Sequence, residues 1–306
     1  MLLITGITGY SGNFFLQELI NHKYPDNIRC LIRKNSDTTL LDMSGLKIEK
    51  VICDLSDINA LNDAFIGVTV VIHIAWIINS RAIIEAAVKN NVQRVICVHT
   101  TGIYSNYKSA SEDYKNIESS IKEIIEVNNS SMGLIYLRPT MIYGMANNKS
   151  TYIFIKMVDK LRVFPIVARG KFLLQPVHGK DLGKAYYQVL EKTNILNGDY
   201  ILSGEKSISI LALLNLISNY LEKKTVFISI PLIISVFLAQ FLKLVTINKL
   251  DFVEKVQRMG EDRSYSYESA ARDFGYAPMS FEEGLKSEVY QYLRNKAIID
   301  REHPCA

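Results

Sequence analysis

Gly6, Gly9 and Gly12 stand in the run Thr5-Gly6-Ile7-Thr8-Gly9-Tyr10-Ser11-Gly12, directly after the apolar stretch Met1–Ile4. Glycines at this spacing, at the end of a strand, can cradle a nucleotide pyrophosphate. Gly6 permits the tight turn, Gly9 lets backbone approach phosphate with no Cβ in the way, and Gly12 lets the next helix pack close. Tyr10 and Ser11 open that helix, whose N-terminal N–H groups and positive dipole end point at the phosphates. Asn13–His22 then carries Phe14, Phe15, Leu16, Leu19 and Ile20, a pattern that suits a buried helix.

Further polar groups follow the next strands. A site selective for NAD places a carboxylate after the second strand, where it binds both ribose hydroxyls. Here Ile32 fills that position and Arg33 follows. A guanidinium suits a 2′-phosphate by charge and by its fork of donors, so NADP(H) is favoured over NAD(H). The alternative for Arg33 is a solvated surface charge. After the third strand, Asp54, followed by Leu55, can accept a hydrogen bond from an adenine amino group. It can also cap the next helix, a role open equally to Ser56 and Asp57. Ala75, after the fourth strand, is small enough for a ribose to lie against the backbone. His73, inside that apolar run, reads as a core histidine.

The elements that must position these groups alternate through the first half. Strands are predicted over Ile28–Ile32, Lys47–Cys53, Val68–Ile74, Val92–His99 and Leu134–Leu137, with helices over Ile58–Phe65, Arg81–Asn90 and Ser111–Asn128. Alternation of this kind implies right-handed crossovers and an α/β fold, a doubly wound parallel sheet of the Rossmann type. Val177–Lys192 as a helix and Gly198–Leu202 as a strand rejoin that sheet. The predicted division is a dinucleotide-binding core over 1–146 and 176–203, with a smaller, mostly helical substrate lobe over 147–175 and 204–306.

Bulk properties narrow the function classes. At 306 residues, 48% hydrophobic and 22% charged, the chain has the composition of a soluble globular protein. A net charge of +4, with no long basic run, argues against nucleic acid. Cys30, Cys53 and Cys97 fall in or beside core strands, and together with Cys305 they form no metal-binding pattern. A cytoplasmic location without a signal peptide is expected. The apolar segment 227–247 approaches spanning length, but Pro231, Gln240 and Lys243 argue against a span. It reads as a buried or partly exposed helix of the lobe, with interfacial membrane contact as the alternative.

These segments resemble the short-chain dehydrogenase/reductase superfamily, in its extended, epimerase/dehydratase-like and atypical branches. Thr5–Gly12 is similar to the cofactor loop of that superfamily, Cys53–Asp57 to its adenine-contacting stretch and Val71–Ala75 to its His-x-Ala stretch. Leu137–Gly144 is similar to the Arg-Pro…Tyr-Gly segment, which implies that Pro139 lies beside the nicotinamide. Gln175–Asp181 and the stretch Phe274-Gly275-Tyr276-Ala277-Pro278 match later motifs. The superfamily works with a Tyr-x-x-x-Lys pair on one helical face and a Ser or Thr after the fifth strand. Thr100 matches the hydroxyl position. Counting back from Arg138, Lys115 matches the lysine, and Ser111 stands where the tyrosine belongs. Tyr114 is followed four residues later by Glu118, which cannot lower a phenol pKa.

Three alternatives remain open. Lys115 works alone as ribose anchor or proton donor, Tyr114 reaches substrate in an altered geometry, or no redox chemistry occurs. The resemblance implies hydride transfer on a nucleotide sugar or a related carbonyl or hydroxyl compound, with Thr100, Lys115 and Tyr114 as catalytic candidates. Lys171, Arg258 and Arg263 are cations available to a phosphate. The competing expectation is a non-catalytic NADP(H)-binding regulatory or assembly protein. A homodimer through the long helices is implied by the resemblance alone.

Overall fold

A computed structural model describes residues 1–107, 110–144, 150–246 and 252–302. Apolar runs of strand length become β1 (Leu2–Thr5), β2 (Ile28–Ile32), β3 (Ile48–Ile52), β4 (Val70–His73), β5 (Arg94–Val98) and β6 (Gly133–Pro139). With Gly198–Leu202 they form one seven-stranded sheet. Its order is Gly198–Leu202, β6, β5, β4, β1, β2, β3, and every pairing within it is parallel. The chain order reverses between β1 and β4. Ligands of doubly wound sheets bind at the carboxyl ends of the strands flanking that point.

Helices cover both faces, as a sheet buried on both sides requires. On one face α1 (Tyr10–Asn21) packs with the helix Gly179–Glu191, and Phe15 meets Tyr186 edge to face at 6.0 Å. On the other face lie Ile58–Ala64, Ser80–Lys89 and the long helix Ala110–Val127. A separate apolar core joins Tyr143, Ile155, Phe164, Leu213, Leu285 and Val289 in the smaller lobe. Ala270, Phe274 and Tyr276 pack in the sheet layer rather than in that lobe.

The run 227–247 is two elements, not one helix. Val226–Ile230 is a strand paired in parallel with Val163–Val167, and the helix Leu232–Val245 follows Pro231. Proline has no N–H to give a ladder, which ends the strand there. Ile247 and Cys305 lie outside the described residues. Among the described residues, no helix is long and apolar enough to cross a membrane.

Candidate functional site

A cleft of about 680 Å³ opens at the switch point, and it gathers most of the predicted binding groups. Gly6, Gly9, Tyr10 and Ser11 line its floor, Arg33 and Asp54 with Leu55 one end, and Ala75 the β4 side. Gly6 sits at φ +75, and a Cβ there would lie 2.6 Å from the Ala75 nitrogen. The turn and the sheet therefore exclude any side chain. Gly12 lies behind the floor rather than in it, where a Cβ would overlap the carbonyl oxygen of Gly6 and the backbone of Ile7. Gly9 takes the N-cap position of α1 with no side-chain cap, so the helix presents its first N–H groups to the cleft. A cradle that a Cβ would fill, beneath a bare helix N-terminus, fits a dinucleotide pyrophosphate.

Arg33 is exposed at the mouth of the cleft, with Lys34 and Ser36 beside it; the Ser36 hydroxyl accepts from the Arg33 N–H at 3.1 Å. Asp54 does not cap the helix that follows. Its Oδ1 accepts from the N–H and hydroxyl of Ser56, which holds the carboxyl below its ordinary range, while Asp57 caps Ile58–Ala64. Thr8 and Ile142, inside two of the motifs, and Lys34, Trp76 and Asn79, beside others, also line it. For Lys34, Trp76 and Asn79 the only signal was adjacency to those motifs.

The catalytic candidates are not gathered in the same way: Thr100, Tyr114, Lys115 and Pro139 are absent from the lining of the cleft. Pro139 is buried, and its carbonyl accepts from the Thr101 hydroxyl at 3.3 Å. Thr100 Oγ1 accepts from the Gly102 N–H at 3.0 Å. Lys115 is half-exposed on the flank of Ala110–Val127, 3.5 Å from Glu112. Tyr114 points inward, buried with Ile77 and Ile103 in a small apolar cluster. Packing uses that ring.

Glu118, one turn further on the same face, anchors a buried network. Its carboxylate accepts from both terminal nitrogens of Arg138, at 2.6 and 2.8 Å, and from His99 Nδ1 at 2.7 Å. Because a carboxylate only accepts, His99 carries its proton on Nδ1, and Nε2 accepts from the Ser80 hydroxyl at 3.0 Å. Arg138 also forks onto Asp199, at 2.6 and 2.8 Å. Burial pushes the Glu118 carboxyl up, but the hydrogen bonds from His99 and Arg138 outweigh it and hold it at about 2. His73 is fully buried and held neutral at about 3, chiefly by burial, with Nδ1 2.7 Å from the Thr5 hydroxyl. It is a core histidine.

Two arginines of the smaller lobe are partly buried, Arg258 with Glu254 at 3.9 Å. The Nε atoms of Arg258 and Arg263 are buried with no partner among the described residues. Burial, with neighbouring Arg258 adding to it, pulls Arg263 down to about 10. Glu261 ties this segment to the chain after β5, accepting from the Ser105 hydroxyl and the Asn106 N–H, each at 2.7 Å. Each guanidinium thus keeps one Nε–H donor without a partner among the described residues.

The profile of the NmrA-like family matches residues 1–283. No curated protein matched the sequence. Among solved structures, gox2253 aligns with a TM-score of 0.76 at 18% identity, covering 96% of this chain and 98% of that one. DesIV from Streptomyces venezuelae, a dTDP-glucose 4,6-dehydratase with NAD bound, aligns at 0.73 with 17% identity, covering 97% and 98% of the two chains. The UDP-glucose 4-epimerase of Thermotoga maritima, with UDP-glucose, aligns at 0.70 with 18% identity, covering 96% and 99%. At these identities the likeness establishes the fold alone.

Proposed function

The chain belongs to the NmrA-like family of atypical, NAD(P)-binding short-chain dehydrogenases/reductases, and from that premise we propose its activity. It is an NADP(H)-dependent oxidoreductase acting by hydride transfer on a phosphate-bearing carbonyl or hydroxyl compound, a nucleotide sugar by class. The observation that carries this reading is Arg33 at the mouth of the cleft, beside Lys34 and after Ile32, where selectivity for NAD needs a carboxylate. The neighbouring guanidiniums of Arg258 and Arg263, each with a buried, unpartnered Nε, would supply the anion site for the substrate phosphates. Buried, unpaired cysteines Cys30, Cys53 and Cys97 accord with a reducing, cytoplasmic setting.

When bound, NADP(H) supplies or accepts the hydride. Gly6, Gly9 and the N-terminus of α1 would hold its phosphates, and Arg33 would pair with the 2′-phosphate. Lys115, which lies outside the lining of the cleft, would anchor a ribose hydroxyl and exchange the proton at the substrate oxygen once redirected from Glu112. Its pair with Glu112 lies on the surface, where such pairs contribute little, so the ammonium is easily redirected. Thr100, whose Oγ1 accepts from the Gly102 N–H, still has its own hydroxyl proton and would donate it to the same substrate oxygen. A second reading draws on one observation: Ser111, buried, occupies the tyrosine position and Tyr114 is committed to packing. It is an NADP(H)-binding regulatory or assembly protein without turnover.

Titration of both cofactors tests the first point. NADPH should bind more tightly than NADH, and Arg33→Ala should weaken NADPH about tenfold, or ~1.4 kcal/mol, while leaving NADH nearly unchanged. Tighter binding of NADH by the wild type would remove the argument from Arg33. Turnover across a panel of nucleotide sugars tests the second point. Lys115→Met should lower kcat by a factor of about 100 with a smaller change in cofactor affinity. An unaltered kcat in that variant takes Lys115 out of the chemistry, and no turnover with any sugar selects the regulatory reading.

A further inference from the structure

Helix Leu232–Val245 meets the protein with its small residues and turns its large ones outward. Ser235 and Ala239 are its buried positions. Ile233 is 84% exposed, Phe237 65%, Phe241 59% and Leu244 77%. At about 100° per residue these four fall within one quarter of the helix circumference, and Leu238 and Val245 extend the same face. The strand that feeds the helix adds Val226 and Ile228, and the neighbouring strand Val163, each more than half exposed. Burial of a helix normally runs the other way, because large apolar side chains gain most from leaving water. An apolar face this continuous requires a cover.

Charge identifies the cover. Segments 160–171 and 223–246, set side by side by the pairing of Val163–Val167 with Val226–Ile230, contain seven basic residues and no acidic one. They are Lys160, Arg162, Arg169, Lys171, Lys223, Lys224 and Lys243, of which Lys223 is paired with Asp159 and Lys243 makes an interaction of its own. Elsewhere in the chain acidic residues outnumber basic ones, so the net positive charge originates here. A second copy of the chain docked face to face would set these cations against their like. An anionic surface would complement them.

We propose that this face docks on an anionic phospholipid bilayer, with Leu232–Val245 lying in the interface and the basic residues at headgroup level. Its 14 residues make about 21 Å of helix, short of the roughly 30 Å hydrocarbon core, which fits a helix lying in the surface rather than crossing it. The apolar face supplies insertion and the lysines and arginines supply selectivity for negative lipid.

Flotation of the full chain with vesicles tests the proposal. Vesicles of phosphatidylcholine with about one-third phosphatidylglycerol should capture at least about tenfold more protein than phosphatidylcholine alone, and added salt should weaken the capture. The double variant Phe237→Ser/Phe241→Ser should lose it while keeping the wild-type melting temperature, because both rings are exposed. Lys224→Glu should reduce capture without altering the fold. Absence of capture by either vesicle, or equal capture by both, overturns the proposal. So does a stable dimer in vesicle-free solution that the Phe237→Ser/Phe241→Ser pair disperses, since the face would then cover a second copy.

Discussion

Replacing Glu118 with alanine is expected to cost about 3–5 kcal/mol of folding stability, the range for removing one partner of a buried ion pair. The loss comes less from the missing attraction than from what remains. Arg138, at 3% exposure, would keep Asp199 but lose the carboxylate that takes both of its terminal nitrogens, and His99 would lose the acceptor for Nδ1. Urea denaturation of wild type and variant at neutral pH measures the difference, and a value below about 1 kcal/mol would show that solvent relieves the orphaned guanidinium. The pH dependence gives a second readout. Glu118 is held near 2 in the fold, below its ordinary 4.5. A depressed carboxyl stabilises the fold above its unfolded value, and that stability is lost as pH falls through the folded value. The gap between wild type and Glu118→Ala should therefore be full above about pH 5 and shrink between pH 4.5 and 2.

Gly12→Val should abolish dinucleotide binding, weakening it by a factor of at least about 100. The added Cβ overlaps the Gly6 carbonyl oxygen and the Ile7 backbone, so the loop, rather than a flexible side chain, must give way. Displacing that loop also misdirects the N–H groups at the start of α1, where the phosphates are to be held. Trp76, the chain's single tryptophan, lines the cleft and reports binding through quenching of its fluorescence by added NADPH. Should Gly12→Val fail to fold, Gly9→Ala provides the milder test. Its Cβ would sit 3.0 Å from the Gly6 oxygen at an exposed position, and about a tenfold loss of affinity with an intact melting transition is expected. Wild-type affinity in both variants would mean that the phosphates are held elsewhere.

Much of the core was legible because its signals are local. Ile28–Ile32 and Gly198–Leu202 are strands with the predicted bounds, and the predicted helix Ser111–Asn128 is offset by one residue. The smaller lobe was less legible. A strand, a proline and a helix, all apolar, merged into the single run read over 227–247, since hydrophobicity alone does not distinguish period two from period 3.6 over a few residues. The strand partner Val163–Val167 lies about sixty residues away and is interrupted by Pro165, so nothing nearby announced the pairing.

By itself, then, the sequence determined the cradle: Gly6, Gly9 and Gly12 between an apolar strand and a buried helix, with Arg33 after the next strand. Steric demands on a phosphate loop are met within a dozen residues and need no distant partner. The helix Ala110–Val127 was decided only by the tertiary structure. Spacing put Ser111, Tyr114, Lys115 and Glu118 on neighbouring faces but left the rotation of the helix against the sheet open. Contacts with Ile77 and Ile103, and with Arg138 twenty residues on, set that rotation. They turn Tyr114 and Glu118 inward and leave Lys115 on the flank. Burial of one ring and one ion pair outweighs any local preference, and it settles which of these side chains face solvent.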